Sequence, residues 1–372
     1  MPILLMMKNR IVGSTSKTTA RSWLRKKGET INGKKYSFDE EGRMNAEWVN
    51  WDSTPATASQ GSTDRADYSK GFRYFGNPED GARVTKGWFQ VVPGSYLDEG
   101  DYNDDSENWY YADKDGKLVA GEMKTINGKK YAFKESGAMV DGYKFIKLAS
   151  DKKTIVDIVD NDVDDKTPTI TGVPEAWENT IIGEQDSWKF DTTDGFKKHA
   201  FAWELSGYEL YYFGSGDDGA MKTNKANMTI DGDSHSFLFN KSGSYKGAGK
   251  TGIDNKKYYQ SGMLLTAEKE DKYAVVATLS KSGKIVAAVT LTTDEFLNDV
   301  MKVGNTASAD GKFTELYDVA SKVDEFKADG IEFNLVNTSG TVQKNKEKAK
   351  DGNDRCYKVN ASGKITSVFV EK

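Results

Sequence analysis

The sequence predicts a mainly β protein: a solenoid of stacked β-hairpin repeats with an irregular insertion and a small C-terminal α+β domain. Three observations carry that expectation. The segment Thr30-Ile31-Asn32-Gly33-Lys34-Lys35-Tyr36-Ser37-Phe38 returns as Thr125-Ile126-Asn127-Gly128-Lys129-Lys130-Tyr131-Ala132-Phe133, and internal similarity of this kind marks repeat architectures. Each copy contains an Asn-Gly pair and is followed by a second turn signal, Glu41-Gly42 or Ser136-Gly137. Between the turns, rings alternate with polar residues, so they project to one face of an extended strand.

The chain of 372 residues has room for two or three domains. It reads as an N-terminal tail, 1–27; β-hairpin repeats, 28–143; an insertion with a hairpin and an acidic loop, 144–203; further hairpin repeats, 204–266; and the C-terminal α+β domain, 267–372. In the repeats, Asn-Gly and Asp-Gly between short extended runs favour two-residue type I′ turns, because both positions need positive φ. Weaker copies begin at Ile230-Asp231-Gly232 and at Ile253-Asp254-Asn255, with Ser242-Gly243 and Ser261-Gly262 after them. Sister units run from Tyr74-Phe75-Gly76 to Asp80-Gly81-Ala82, from Tyr212-Phe213-Gly214 to Asp218-Gly219-Ala220, and over Trp109-Tyr110-Tyr111-Ala112 to Gly116. A lone hairpin is marginal in water. Stacking the rings of one on the next buries them and stabilises the array through nearest neighbours.

Residues 144–203 break the periodicity. Tyr143 to Leu148 and Thr154 to Val159 read as a hairpin around Asp151-Lys152-Lys153. The acidic run from Asp160 misses the EF-hand pattern, with Asp165 where the loop needs Gly and Thr171 where it needs Glu. It reads as a solvated loop, as does the acidic stretch from Asp98 to Glu107. In the C-terminal part, Tyr273–Leu279 and Ile285–Leu291 form a hairpin rich in β-branched residues. Phe313, Leu316, Val319, Ala320, Val323 and Phe326 recur at helical spacing, with Gly330 closing the helix. Ile331 to Val336 and Tyr357 to Val370 supply further strands, and Ser282-Gly283-Lys284-Ile285 echoes Ser362-Gly363-Lys364-Ile365.

Gly87-Trp88, then Trp109-Tyr110-Tyr111, a polar turn with Gly116, and Ala120-Gly121-Glu122-Met123 together resemble a cell-wall-binding repeat. Lys124 to Tyr143, with Gly137-Ala138-Met139-Val140-Asp141-Gly142-Tyr143, is a close second copy. This is the repeat of choline-binding and glucan-binding modules on Gram-positive surface proteins, and it is similar to the C-terminal repeats of large clostridial toxins. The resemblance covers roughly half the chain. It implies a non-catalytic, secreted or surface-located module for choline-decorated teichoic acid or glucan.

In the choline-binding members, rings from neighbouring hairpins cage a quaternary ammonium by cation–π attraction. Carried over position by position, the resemblance gives Trp88, Trp109 and Tyr131 as a first site with Tyr143 beside it, and Trp203, Tyr211 and Phe237 as a second. Most copies carry Tyr or Phe where the family pattern has Trp, and Gln260 interrupts the last one. Tyr stacks well on a sugar face, which favours a carbohydrate or a purely structural repeat over choline.

Composition narrows the alternatives. Lys and Arg number 52 against 57 Asp and Glu, too even a balance for a nucleic-acid binder that works by counterion release. One Cys and two His leave little material for disulfides, metal sites or a cysteine nucleophile. No phosphate loop, dinucleotide fingerprint or nucleophile elbow is present, so no catalytic residue, metal or cofactor is expected. No segment reaches the roughly 20 apolar residues of a membrane span, and mean hydropathy is −0.68. The opening Met1-Pro2-Ile3-Leu4-Leu5-Met6-Met7 is too short for a secretory core, so for a surface protein the start reads as truncated or internal. Two other readings stand beside the binding module. One is a surface spacer whose C-terminal domain contacts a protein partner; the other is a cell-wall hydrolase fragment lacking its catalytic domain.

Overall fold

The computed structural model describes residues 28–372 apart from 40, 56–61, 163–164, 184, 215 and 307–310. The expected tail, 1–27, and Val163 and Asp164 of the acidic run lie outside the described residues. Strands dominate, arranged in small antiparallel sheets. The described residues form two compact units: 28–141 with 149–156 and 216–220, and 142–148 with 157–214 and 221–372.

In the first unit the chain forms successive two-stranded hairpins: Glu29–Ile31 with Lys34–Tyr36, Trp48–Asn50 with Phe72–Tyr74, Gly87–Val91 with Asn108–Ala112, and Glu122–Ile126 with Lys129–Phe133. The Asn-Gly turns have the left-handed backbone that type I′ demands, with φ of 50° and 80° at Asn32 and Gly33 and of 49° and 81° at Asn127 and Gly128. A five-residue turn follows three of these hairpins. In it the first residue's N–H and C=O bond the fifth residue's C=O and the Gly N–H, as from Asp113 to Lys117 and from Lys134 to Ala138. The Asp113 carboxylate also accepts from the N–H groups of Asp115 (2.9 Å) and Lys117 (2.8 Å), an Asx cap on the turn. Two segments interrupt the hairpin series. Helix Ser62–Lys70 precedes Phe72–Tyr74, and residues 92–107 with the short helix Glu99–Asn103 separate the strands of the third hairpin.

In the second unit, Tyr143–Leu148 pairs with Glu209–Tyr212, and the hairpin expected over 143–159 is present. The expected insertion also contains a 13-residue helix, Thr193–Leu205, which the sequence reading missed. Thr192 caps it by accepting from Gly195 N–H at 3.0 Å, and Phe196, Ala200, Phe201, Ala202 and Trp203 are buried on it. A five-stranded sheet spans Asn224–Ile230 to Met263–Leu264. Within it Ser261-Gly262 is a tight two-residue turn joining Gln260 to Met263, unlike the five-residue turn at Ser136-Gly137.

The C-terminal residues form two sheets. Lys284–Leu291, Tyr273–Lys281 and Ile331–Asn337 make one; Phe313–Asp318, Ile365–Glu371, Arg355–Val359 and Lys346–Lys350 make the other. The helix expected from Phe313 starts only at Ala320 and ends at Ala328. Phe313 and Leu316 instead lie on a strand whose register slips between Phe313 and Glu315. That bulge lets residues three apart meet one partner, so Leu316 pairs with Phe369 while Phe313 packs 4.5 Å from the same ring. The echo between Ser282-Gly283 and Ser362-Gly363 is only of letters. The first is a two-residue hairpin turn; the second belongs to a five-residue turn capped by Asn360, with the hydrogen bonds found at Asp113. Asn337 caps another turn of that form.

Gln260, which broke the ring pattern, is 1% exposed and polar for a reason. Its amide accepts from Ala288 N–H (2.7 Å) and donates to Glu204 Oε2 (2.8 Å), which also accepts from Thr251 Oγ1 and Ser261 Oγ. Burial raises the Glu204 carboxyl to about 7 despite these donors.

Two predictions follow from this frame. Asn360→Ala removes the acceptor for three turn N–H groups and lowers stability by about 1–2 kcal/mol in urea unfolding. Because folding raises the Glu204 pKa, its protonated form is favoured in the folded state. The wild-type unfolding midpoint therefore falls as pH rises from about 4.5 to about 7 relative to Glu204→Gln, and the gap stays constant above that window.

Candidate functional site

The aromatic residues of the first unit are organised by strand register. Between Gly87–Val91 and Asn108–Ala112, Trp88 faces Tyr111 and Gln90 faces Trp109, so these four side chains share one face. The next hairpin adds Tyr131 and Phe133. Trp88 is the hub. Its ring meets Trp109 at 6.5 Å and 84°, Tyr111 at 5.2 Å and 70°, and Tyr131 at 4.8 Å and 64°, all edge to face, and stacks on Phe133 at 5.7 Å. Phe133 is fully buried and belongs to the same apolar cluster as Val119, Ile126 and Met139. Trp88, Trp109, Tyr111 and Tyr131 all keep part of their surface in solvent. The Trp109 indole N–H donates to Asp217 Oδ1 at 2.7 Å.

The preceding hairpin presents the same constellation in the same register. Trp48 faces Tyr74 and Asn50 faces Phe72, as Trp88 faces Tyr111 and Gln90 faces Trp109. Tyr110 takes the place of Tyr131, each lying two residues before the strand residue that bridges across the following turn. Here the outcome is different. Phe89 stacks on Tyr74 (5.0 Å) and Tyr110 (5.6 Å) and touches Trp48 (5.8 Å), while Tyr96 stacks on Phe72 at 4.8 Å. Trp48 donates its indole N–H to Val92 C=O, and Tyr110 is 0% exposed, with burial pushing its phenol well above the usual tyrosine range. In the Trp88 set the position of Phe89 is held by Lys124, opposite Tyr131 as Phe89 is opposite Tyr110. One constellation is closed by its own rings; the other has a lysine where the closing ring would be.

The structure brings Trp88, Trp109 and Tyr131 together. Tyr143 is a residue of the second unit, where its ring lies near Phe190 (6.1 Å) and Phe196 (6.4 Å) and its hydroxyl accepts from Asn161. Trp203, Tyr211 and Phe237 are 1–2% exposed. Trp203 sits on the 193–205 helix with its indole N–H on Trp188 C=O, Phe237 stacks on Phe239, and Tyr211 packs beside Phe213. Their faces are spent on core contacts, which leaves no ring open to a ligand there. Tyr111 was missed by the sequence reading although its spacing of two from Trp109 places it on the same face. Asp217, 108 residues from Trp109, carried no sequence signal.

The nucleophile and metal candidates are separated or absent. Cys356 is buried on Arg355–Val359, and burial raises its thiol pKa. His199 is bonded to Lys189 C=O and Gln185, and His235 to Thr193 Oγ1. Among the described residues no group of three His, Cys, Asp or Glu side chains could hold a metal ion, and no helix is long and apolar enough to cross a membrane.

No family model and no curated protein matches the chain. Several solved structures do. The choline binding domain of Spr1274 in Streptococcus pneumoniae is 21% identical over 31% of this chain and 94% of that one, with a TM-score of 0.18. Choline binding protein F from Streptococcus pneumoniae, solved with a peptidoglycan analogue, is 16% identical over 92% of each chain, with a TM-score of 0.20. The modular autolysin LytC from Streptococcus pneumoniae is 15% identical over 78% of this chain, with a TM-score of 0.24, and the match takes in 46% of the autolysin. The chain is similar to choline-binding repeat proteins.

The contrast between the two constellations predicts opposite costs. Trp48→Ala lowers stability by about 2–4 kcal/mol because it empties a closed cluster. Trp109→Ala costs about 1 kcal/mol or less, because among the described residues its ring meets one aromatic neighbour, Trp88 at 6.5 Å, where Trp48 meets Tyr74, Phe89 and Tyr110. Urea midpoints of the two variants check this.

Proposed function

We propose that this chain is a non-catalytic binding module that attaches to a cell-wall or extracellular polymer, choline-decorated or glucan, through the rings around Trp88. The repeats serve as a β-hairpin solenoid that displays the site at a surface, with the C-terminal α+β region beyond them. The observation that supports this reading is the difference between two equivalent ring sets, one covered by Phe89 and Tyr96, the other with Lys124 in the place of Phe89. A hairpin needs rings for its core. Trp88, Trp109, Tyr111 and Tyr131 each keep part of their surface in water, although burying such rings is favourable by about 25 cal/mol per Å².

Edge-to-face rings with exposed faces are suited to a quaternary ammonium, at about 0.5–2 kcal/mol per ring, or to the apolar face of a sugar. A site of that size binds weakly, so retention on a polymer depends on repeated engagement along it.

The test is a tryptophan-fluorescence titration with choline and, separately, with α-glucan oligosaccharides, paired with retention on purified cell walls. Saturable binding of either ligand is expected, lost in Trp88→Ala at unchanged far-ultraviolet circular dichroism. Wild-type protein that answers to neither ligand and is not retained on walls would instead make the repeats a spacer.

A further inference from the structure

We infer that Asp217 is a specificity-determining residue of the Trp88 site, holding the Trp109 indole in place and favouring a cationic ligand over a neutral one. The inference rests on the reading of that site as a binding site and names the class of ligand it takes.

Three observations carry it. The Asp217 carboxylate accepts from the indole N–H of Trp109 at 2.7 Å from a segment 108 residues away, so its charge is tied to one ring of the set. Segment 216–220 is itself part of the first unit, with Gly219 seated so closely on Met139 that an added Cβ would fall 2.2 Å from its sulfur. That contact locates the loop independently of Asp217, and Met139 packs in the same cluster as Trp88 and Tyr131. Third, Asp217 and the Glu122 carboxylate, which stands opposite Phe133, differ in their partners. Glu122 takes both Lys124 (3.5 Å) and Lys153 (2.8 Å), whereas Asp217 has no Lys or Arg partner among the described residues.

The carboxylate that accepts from the indole brings no donor of its own to the site. A neutral sugar gains from Asp217 only where a hydroxyl reaches it. An ammonium or quaternary ammonium seated among the rings gains from the charge at any orientation, by attraction through partly aqueous surroundings. The carboxylate thus adds a charge preference to rings that would otherwise take either ligand.

The experiment compares two probes of nearly equal shape, choline and its uncharged carbon isostere 3,3-dimethylbutan-1-ol, on wild type, Asp217→Asn, Asp217→Ala and Trp88→Ala. Asparagine keeps an acceptor for the Trp109 N–H and removes the charge. Asp217→Asn is expected to weaken choline about three- to tenfold at low salt and to leave the isostere within about twofold. The difference from wild type narrows as salt rises. Asp217→Ala should weaken both probes, because Trp109 loses its anchor. Equal choline affinity in wild type and Asp217→Asn, with binding still abolished in Trp88→Ala, overturns the role of Asp217 and leaves the site intact. Equal losses for both probes in Asp217→Asn make the residue purely structural and also overturn it. If wild type binds neither probe, the binding reading falls and takes this inference with it.

Discussion

The contact on which the repeats depend is between a turn glycine and the apolar residue that closes the turn before it. Gly137 lies where an added Cβ would be 2.6 Å from Leu118, and the same closeness joins Gly219 to Met139. Leu118 and Met139 are themselves bridged to the strands Asn108–Ala112 and Lys129–Phe133. Each turn is thereby seated on the hairpin before it, and the ring of one hairpin arrives at a fixed height above the next. The distances around Trp88 follow from that spacing. A residue with a side chain at either glycine would have to lift the turn, and the rings carried by the adjoining strand would move with it.

Much of this was legible because type I′ turns and strand alternation are local. Asn32-Gly33 and Asn127-Gly128 required the backbone they adopt, and the rings of Trp88, Trp109 and Tyr131, grouped by the family resemblance, do meet. What was hidden depended on tertiary context. Helix 193–205 lies in a segment read only by its break with the repeat period. Phe313 and Leu316 mimicked a helical spacing because a bulge shifted their strand. Trp203, Tyr211 and Phe237 could not be told from site residues, since a ring used for core and a ring used for ligand occupy the same strand positions. Gln260 looked like a defect until its bonds to Glu204 and Ala288 were visible.

The second unit satisfies buried polar groups by a different route. Glu204, Thr251, Gln260 and Ser261 tie the 193–205 helix to a hairpin through side chains, and Gln260 also meets the backbone of the strand Lys284–Leu291 at Ala288. Such a network specifies position more sharply than apolar packing does, because a shift leaves donors or the carboxylate unsatisfied. The outer strand Lys346–Lys350 is kept from pairing with another chain by its alternating charge. Three lysines and a glutamate stand on it, with Lys348 bonded to Glu371 and Glu347 to Lys358.

Phe89 and Lys124 occupy one position in two successive hairpins, and that position decides whether a ring set is filled or left open. The valency of such an array is therefore not the number of its repeats. Duplicating a hairpin copies the uncovered ring set only while the cross-strand neighbour of the tyrosine stays polar, and a single codon for phenylalanine there would cover it. Such an array can turn displayed rings into core, repeat by repeat, without altering its backbone.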